Sequence, residues 1–408
     1  MKILITILGI LVLVIAVLFA WFYAQFPPEI EASGYQITES IDQYDNAVSM
    51  DNGRFYGRST WSGAHRDSRN SDYIPLPSPN AMRRTWTGIE GANFFMGPTI
   101  SSNGRIYATS AQGAGHSHLH EYDTRGNLVW KTDPMRDWDD FDSAAFMSAP
   151  VIDIDGNLFI PDSNQLWSFD PDGQTRWVTR LADVGIDGYI FSIFFTHTGH
   201  AGAISSDGKL ALFARDTGEL ALPPLDLPGV RGLPASPMPP GLWVDGSIDE
   251  RIVQDSWDAV FGFNMEVANT PSVHNKTGRI FIVATGREPN AVVLYGIDAT
   301  GGGLHIAFET SLGTSGSGTS PTLSFDGRFV YVIDGEGFLN AIDTGTGEIR
   351  WTSRERSITG VSSTSTPDGK IFTFDLNFLV CWDGDNGDVI WRKDLRDIAI
   401  EEVPWIAS

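Results

Sequence analysis

The sequence predicts an all-β protein, a β-propeller of four-stranded blades with an N-terminal transmembrane helix. Three observations carry this prediction. Asn-Gly and Asp-Gly turns recur at a nearly constant interval, a tryptophan closes most of the repeated units, and a long apolar run opens the chain. By length alone the 408 residues would suggest two or three domains. The repetition indicates instead one ring of tandem units.

Residues 1–26 are predicted to be an N-terminal membrane anchor or signal sequence. Residues 3–24 are apolar apart from a few positions, and about 22 such residues span a bilayer core of about 30 Å as a helix. Lys2 is the only charge in this stretch, and acidic residues follow it, which orients the bulk of the chain outward. Residues 27–39 are a linker. The expected location is membrane-anchored and exported, periplasmic or otherwise extracytoplasmic.

A cleaved signal peptide and a buried core helix are the alternatives for this segment. Ala20 and Ala24 could precede a cleavage point, but Leu18 and Phe22, two residues before them, are large for such a site. The apolar run also exceeds the usual length of about 7–15 residues. No cysteine lies here, so a lipoprotein is excluded.

Composition excludes several classes of function. The chain has 28 basic and 51 acidic residues, a net charge of −23, whereas nucleic acid and anionic lipid surfaces require clustered Lys and Arg. Cys381 is the one cysteine, so an intrachain disulfide and a multi-cysteine metal site are both impossible. We therefore expect no nucleic acid partner.

The repeat begins with a hairpin whose turn is Asn-Gly or Asp-Gly. These dipeptides favour two-residue turns that match the twist of the flanking strands. The first four turns fall at Asn52, Asn103, Asp155 and Asp207, at intervals of 51, 52 and 52 residues. A second hairpin follows, with an aspartate ending its first strand and a tryptophan on its second.

Each unit is therefore four strands, called a to d in chain order, and tandem units of about 40–50 residues of this kind form β-propellers. We count about seven, of which six are clearly recognisable, within a single domain of residues 40–408. The first unit is ambiguous because residues 61–80 are poor in strand signal; if it fails, six blades and a stray strand remain. The units span residues 40–90, 91–133, 145–181, 188–227, 268–312, 318–354 and 361–395.

One insertion, residues 229–263, interrupts the ring. Its first half is rich in proline and glycine. Ser247 and Glu250 then have the spacing of a capping box, and apolar residues including Trp257 follow at helical spacing. We expect a loop and one amphipathic helix.

The unit resembles the repeat of the quinoprotein-alcohol-dehydrogenase-like propellers, the pyrroloquinoline-quinone (PQQ) repeat family. Its motif, A-x-D-x-x-T-G-x-x-x-W, is matched in full by Ala341, Asp343, Thr346, Gly347 and Trp351. The resemblance implies that these tryptophans pack between neighbouring blades. Partial copies of the motif end at Trp130, Trp177 and Trp391.

For function the resemblance implies two different things. Some members of the family are dehydrogenases that hold PQQ and calcium, and others are non-catalytic scaffolds, such as a subunit of the outer-membrane protein assembly machine. The dehydrogenases typically carry adjacent cysteines that stack on the quinone and have eight blades in a longer chain. This chain has only Cys381, which counts against quinone chemistry.

A histidine triplet is the candidate metal site. His116, His118 and His120 alternate, so on a strand they share one face, and three imidazoles suit zinc, copper or nickel. The competing interpretation is a hairpin whose polar face carries histidine without any ligand role.

The candidate partner contacts are aromatic residues outside the repeat. Trp138 and Phe141 interrupt an acidic loop between two units, and Trp257 lies in the insertion. Exposed aromatic anchors of this kind dominate many protein interfaces.

Two hypotheses about function follow. The first is a membrane-anchored, exported propeller that binds a protein partner as a non-catalytic scaffold, with no cofactor. The alternative is an oxidoreductase that holds PQQ and calcium, or a transition metal, in the propeller channel. A calcium-dependent, lactonase-like hydrolase is a third possibility that only the architecture supports.

Overall fold

The computed structural model of the chain describes most of the repeat region. Its described residues are 16–17, 52–58, 61–75, 86–89, 96–111, 117–132, 148–162, 165–186, 190–228, 267, 269–285, 291–313, 318–357, 362–375 and 378–395.

The described residues form six four-stranded antiparallel sheets, called blades 1 to 6 in chain order. In every blade each strand pairs with the next one along the chain, as in the blades of a β-propeller. Blades 1 and 2 comprise β1 Thr99–Ile100, β2 Ile106–Ala111, β3 Ser117–Tyr122, β4 Leu128–Lys131, β5 Val151–Ile152, β6 Leu158–Pro161, β7 Gln165–Phe169 and β8 Thr175–Arg180. Blades 3 and 4 comprise β9 Ile190–Phe195, β10 His200–Ser205, β11 Lys209–Ala214, β12 Leu225–Asp226, β13 Ser272–Val273, β14 Ile280–Thr285, β15 Val292–Thr300 and β16 Gly303–Ser311. Blades 5 and 6 comprise β17 Thr322–Leu323, β18 Phe329–Ile333, β19 Phe338–Asp343, β20 Ile349–Arg356, β21 Thr364–Ser365, β22 Lys370–Asp375, β23 Phe378–Asp383 and β24 Val389–Asp394.

The turn between strands c and d explains the Asp and Gly of the repeat motif. In blade 5 the carboxylate of Asp343 accepts the backbone N–H groups of Gly345 and Thr346, each at 3.0 Å. Gly347 then has φ of 78°, a left-handed conformation that costs other residues about 1–2 kcal/mol. The aspartate holds the start of the turn, and the glycine allows the chain to reverse.

The aromatic residue of strand d packs on the turn glycine of the next blade. A Cβ added to Gly387 would lie 2.5 Å from Cε3 of Trp351, and Nε1 of Trp351 donates to the carbonyl of Gly384 at 3.2 Å. The glycine is therefore needed for space as well as for its φ. The same contact joins Trp86 to Gly126, Trp130 to Gly173, Trp177 to Gly218, and Phe308 to Gly347.

Neighbouring blades share hydrophobic clusters, one between each consecutive pair from blade 1 to blade 6. Between blades 3 and 4, for example, Phe194 and Leu210 pack with Ile280 and Tyr295. These side chains are fully or nearly fully buried, so each blade depends on the next one for much of its apolar burial.

The structure describes the first predicted unit only in part. The described residues of range 40–90 belong to none of the six sheets, and they form isolated bridges at Tyr56 and Trp61. The Asn-Gly at Asn52 makes a turn, with the N–H of Tyr56 donating to the Gly53 carbonyl, but the described residues form no blade hairpin there, and from Ser62 onward several of them are polar and buried. Trp86, which lies in the same range, packs on Gly126 of blade 1 as the strand-d tryptophans pack on the glycines of the following blades.

Two predicted segments lie outside the described residues. In the N-terminal segment only residues 16 and 17 are described, and they are helical. Among the residues that the structure describes, no helix has the length and apolar character needed to cross a bilayer. The insertion of residues 229–263 with its predicted helix also falls outside the described part, so both predictions stand as predictions.

The glycine at the interblade contact can be tested against a matched control. Gly387→Ala should be destabilising for two reasons, its φ of 75° and the overlap with Trp351. Gly369→Ala imposes a φ of 77° with nothing within 4 Å of the new Cβ. We expect the free energy of unfolding, measured by urea denaturation, to fall by about 1–2 kcal/mol for the control and by about a further 1–3 kcal/mol for Gly387→Ala. Equal losses would contradict the packing role.

Candidate functional site

The described residues of the first predicted unit contact the innermost strands of the blades. Residues 52–58 and 61–73 are called the axial segment. Its first half pairs with blades 1 and 2 through the main chain: Ile100 donates to the carbonyl of Trp61 at 2.7 Å, Ile152 donates to Ser62 at 2.8 Å, and Gly57 donates back to Ile152 at 2.8 Å.

The second half of the axial segment pairs with blades 4, 5 and 6. The carbonyls of Ser68, Arg69 and Ser71 each accept one backbone N–H, in each case from the last residue of an innermost strand. The donors are Val273 at 2.6 Å, Leu323 at 2.9 Å and Ser365 at 3.0 Å.

Blade 3 is reached by a side chain. The hydroxyl of Tyr56 accepts the backbone N–H of Phe195 at 3.2 Å, and the two rings meet edge to face with centroids 5.1 Å apart. Burial raises the pKa of Tyr56 far above its usual range. One short segment thus contacts the innermost strand of all six described blades, which places these strands around a common axis.

Asp67 organises the second half of the segment. Its buried carboxylate accepts the backbone N–H groups of Arg69 and Ser71, the Ser71 hydroxyl, and one guanidinium nitrogen from each of Arg66 and Arg69. Arg66 is wholly buried, and burial lowers its pKa despite the neighbouring Asp67. A buried charge is tolerated only when it is paired and hydrogen-bonded, and Asp67 supplies this pairing.

The backbone around this carboxylate is strained. Arg66, Asn70 and Asp72 have φ values of 72°, 54° and 49°, in a region that non-glycine residues rarely adopt. Left-handed residues of this kind persist only where surrounding contacts fix them. Here the contacts with the Asp67 carboxylate and with the blades hold the loop.

His65 and Asp72 form an ion pair in the same loop. Nδ1 of His65 lies 2.9 Å from a carboxylate oxygen of Asp72. Burial disfavours the imidazolium, but the charges of Asp72 and Asp67 outweigh it and raise the pKa of His65. The pair therefore joins the two ends of residues 65–72.

The structure brings two of the three predicted metal ligands together. The His118 and His120 rings have centroids 5.6 Å apart, and Nδ1 of His118 is 2.9 Å from the carbonyl of Thr132. Burial, and secondarily the charge of His118, lower the pKa of His120 to about 4. His116 lies outside the described residues. Within the described ranges, no group of three or more potential ligands is close enough for a metal ion, and the triplet remains a prediction.

The other predicted site residues divide into two sets. Trp138, Phe141 and Trp257 lie outside the described residues, so their role in partner contact remains a prediction. Among the motif residues, Nε1 of Trp130 donates to the Pro171 carbonyl and Nε1 of Trp177 to that of Arg215, at 3.2 Å and 3.0 Å. The remaining motif tryptophan, Trp391, packs edge to face on Phe372.

The lone cysteine has the properties of a core residue. Cys381 is fully buried in β23, and burial raises the pKa of its thiol to about 12. Because the thiolate is the reactive form, this environment gives the residue no nucleophilic role at neutral pH.

Sequence reasoning missed the axial segment, which is the principal polar feature of the described structure. The signal that could have revealed it is the run RDSRNSD of residues 66–72. Polar residues at successive positions cannot alternate between a core face and a solvent face, so they argue against a blade strand.

Comparison with known proteins finds a family model and a relative that the chain resembles. Residues 336–407, which include blade 6, match the PQQ-type family model described as outer membrane protein assembly factor BamB. In this region the chain is similar to the PQQ-repeat β-propellers. Protein Rv3035 of Mycobacterium tuberculosis is 23% identical over 341 residues, which are 82% of this chain and 76% of that protein.

Three solved structures are similar to the chain at low identity. BamB from Moraxella catarrhalis has a TM-score of 0.47 and 13% identity over 72% of this chain and 74% of that one. A virginiamycin B lyase from Staphylococcus aureus has a TM-score of 0.47 and 12% identity over 74% and 84% of the two chains. A europium-containing methanol dehydrogenase has a TM-score of 0.46 and 12% identity over 87% of each chain.

The Asp67 carboxylate is open to a direct test. Asp67→Ala should lower the free energy of unfolding by about 3–5 kcal/mol, because it leaves buried guanidinium groups without their shared acceptor. Asp67→Asn keeps the side-chain volume and one acceptor oxygen, so its free energy of unfolding should fall by less. This variant provides the measurement if the alanine variant does not fold. Asp72→Asn, at a partly exposed pair, should cost about 1 kcal/mol or less. Similar losses at Asp67 and Asp72 would refute the central role of Asp67.

His120 gives a pH prediction. Its folded-state pKa of about 4 lies below the ordinary value of 6.5, so the unfolded chain binds the proton first as pH falls. Its contribution to stability is complete above pH 6.5 and is lost progressively as pH falls towards 4. Urea denaturation across this range should show a flatter pH dependence for His120→Gln than for the unmodified chain. An unchanged slope would mean that His120 is not the buried neutral group described above.

Proposed function

We propose that this chain is a membrane-anchored, exported propeller that binds a protein partner as a scaffold and carries out no chemistry itself. The observation that carries the proposal is the axial segment. The alternative, a quinoprotein-type oxidoreductase, needs PQQ or a metal ion in the propeller channel, and the chain's own residues 52–58 and 61–73 lie there.

The charges along the axis support the same conclusion. PQQ carries three carboxylates and would require cationic side chains that are free to receive them. The buried cation of the axial segment, Arg66, is bonded to Asp67 at 3.0 Å, and Arg69 shares the same carboxylate at 3.0 Å. A bound anion would have to compete with a carboxylate that is already in place.

The outer strands support a role in protein contact. Large apolar side chains are exposed on the outermost strands of several blades, for example Leu128 and Val129 on β4, Val178 on β8 and Ile349 on β20. Exposed apolar side chains and open strand edges are features that partner proteins use. The matched family model is described as an assembly factor, and we extend that kind of role, contact with other proteins, to this chain.

The partner contacts can be tested on the full chain in its own membranes. Residues 229–263 are replaced by a short Gly-Ser linker in one variant, and Trp138 and Phe141 are both changed to Ala in a second. We expect each variant to lose at least about 10-fold in recovery of cross-linked partners, which corresponds to about 1.4 kcal/mol of binding, at an unchanged melting temperature. Ile154→Ala, at an exposed side chain in the turn between β5 and β6 and not on an outermost strand, is the control for a surface change elsewhere.

Recovery of the same partners by both variants would refute the assignment of these surfaces. The oxidoreductase alternative has its own readout. The purified chain is titrated with PQQ and Ca²⁺ while its absorption spectrum and its reduction of a dye are recorded. A saturable spectral change with dye reduction would replace the scaffold proposal by the alternative.

A further inference from the structure

We propose that the innermost strands of the six blades form a binding site for an extended peptide, and that the axial segment fills this site as a ligand held by non-covalent contacts alone. The proposal concerns the chain's own architecture and does not rest on the scaffold function. It predicts that the axial segment stays bound when its covalent link to blade 1 is cut.

The site is made of main-chain groups that each blade presents in the same place. The innermost strand of a blade pairs with its neighbour on one side, which leaves the groups on its other side facing the axis. The N–H groups of Ile100, Ile152, Val273, Leu323 and Ser365 all donate to the axial segment. Main-chain pairing of this kind supplies affinity in many peptide-binding domains.

Side chains add specificity to this pairing. The amide nitrogen of Asn70 donates to the carbonyls of Thr270 at 2.7 Å and Pro321 at 3.0 Å, and so joins blades 4 and 5. The hydroxyl of Ser68 donates to the side-chain oxygen of Asn275 at 2.5 Å. A peptide that lacked these polar groups would leave buried carbonyls without a donor, which is unfavourable because a buried acceptor loses its bonds to water.

The axial segment is also organised before it binds. Asp67 ties together residues 66–71 through hydrogen bonds that lie within the segment itself. A ligand that holds its bound shape by internal contacts loses less entropy when it binds. Because it is ordered internally and contacts six blades, the axial segment can bind as a separate peptide, without its covalent link to blade 1.

The covalent link to blade 1 takes part in none of these contacts. The bonds described above all involve residues 52–71, and Tyr73 makes a further edge-to-face contact with Phe325 in blade 5. Blade 1 begins at Thr99. A cut between these points leaves every contact of the segment intact.

The first experiment cuts the folded full chain. A recognition sequence for a specific protease is inserted between Pro79 and Asn80, and the protein is cleaved under native conditions. We expect the two pieces to co-elute on size exclusion and to separate only in denaturant. Release of the N-terminal piece in native buffer, or unfolding of the ring as soon as the link is cut, would overturn the proposal.

The second experiment measures recognition of the segment itself. The cut protein is unfolded in urea and refolded with an excess of a labelled synthetic peptide of residues 50–75. A matched peptide carries Asp67→Ala and Asn70→Ala. We expect the unmodified peptide to be incorporated and the matched peptide to be incorporated at least about 10-fold less, equivalent to about 1.4 kcal/mol. Equal incorporation of the two peptides, or none of either, would contradict a specific site.

Discussion

The fold depends on the hydrogen bonds that the axial segment makes with the innermost strands. A ring of blades turns one edge of each innermost strand towards a closed interior, where an unpaired N–H costs about as much as a lost hydrogen bond. In this chain a single segment accepts those N–H groups, from Ile100 in blade 1 to Ser365 in blade 6. The buried polar residues of the axial segment, Asp67 among them, hydrogen-bond main-chain groups and so fix the conformation of the segment between the blades.

The contact between blades depends on a glycine that meets two requirements at once. Gly387 has a left-handed φ that closes the turn and no side chain where Trp351 must lie. Because Trp351 comes from the preceding blade, the local geometry of a turn and the packing of neighbouring blades become one requirement. Phe308 against Gly347 meets the same requirement without the indole, so the necessary element is a flat ring on a glycine and not tryptophan as such.

The blades were predictable because their signals are local. A turn such as that at Asp155, and a short apolar run such as that of β18, each determine their structure within a few residues. The axial segment was not predictable in this way, since its partners are distant in sequence and its pairing with successive blades has no period. Asn52 and Gly53 have the same Asn-Gly dipeptide as a blade turn, so the sequence pattern predicts a blade at this position. The proximity of His118 and His120 followed from strand alternation, whereas the burial that keeps His120 neutral depends on tertiary packing.

The axial segment has a consequence for the order of events during synthesis. It leaves the ribosome before any of the blades, yet Asn70 bonds to Pro321, which is 251 residues later in the chain. Long-range contacts of this kind form slowly because a large loop must close first. Until the last blade emerges, the segment has no complete site, and the early blades present open inner edges of the kind that chaperones bind and that can pair with other chains. The contacts of the segment with blade 6 therefore cannot form before that blade has been synthesised, and a nascent chain that terminates earlier would lack the hydrogen bond from Ser365 to Ser71.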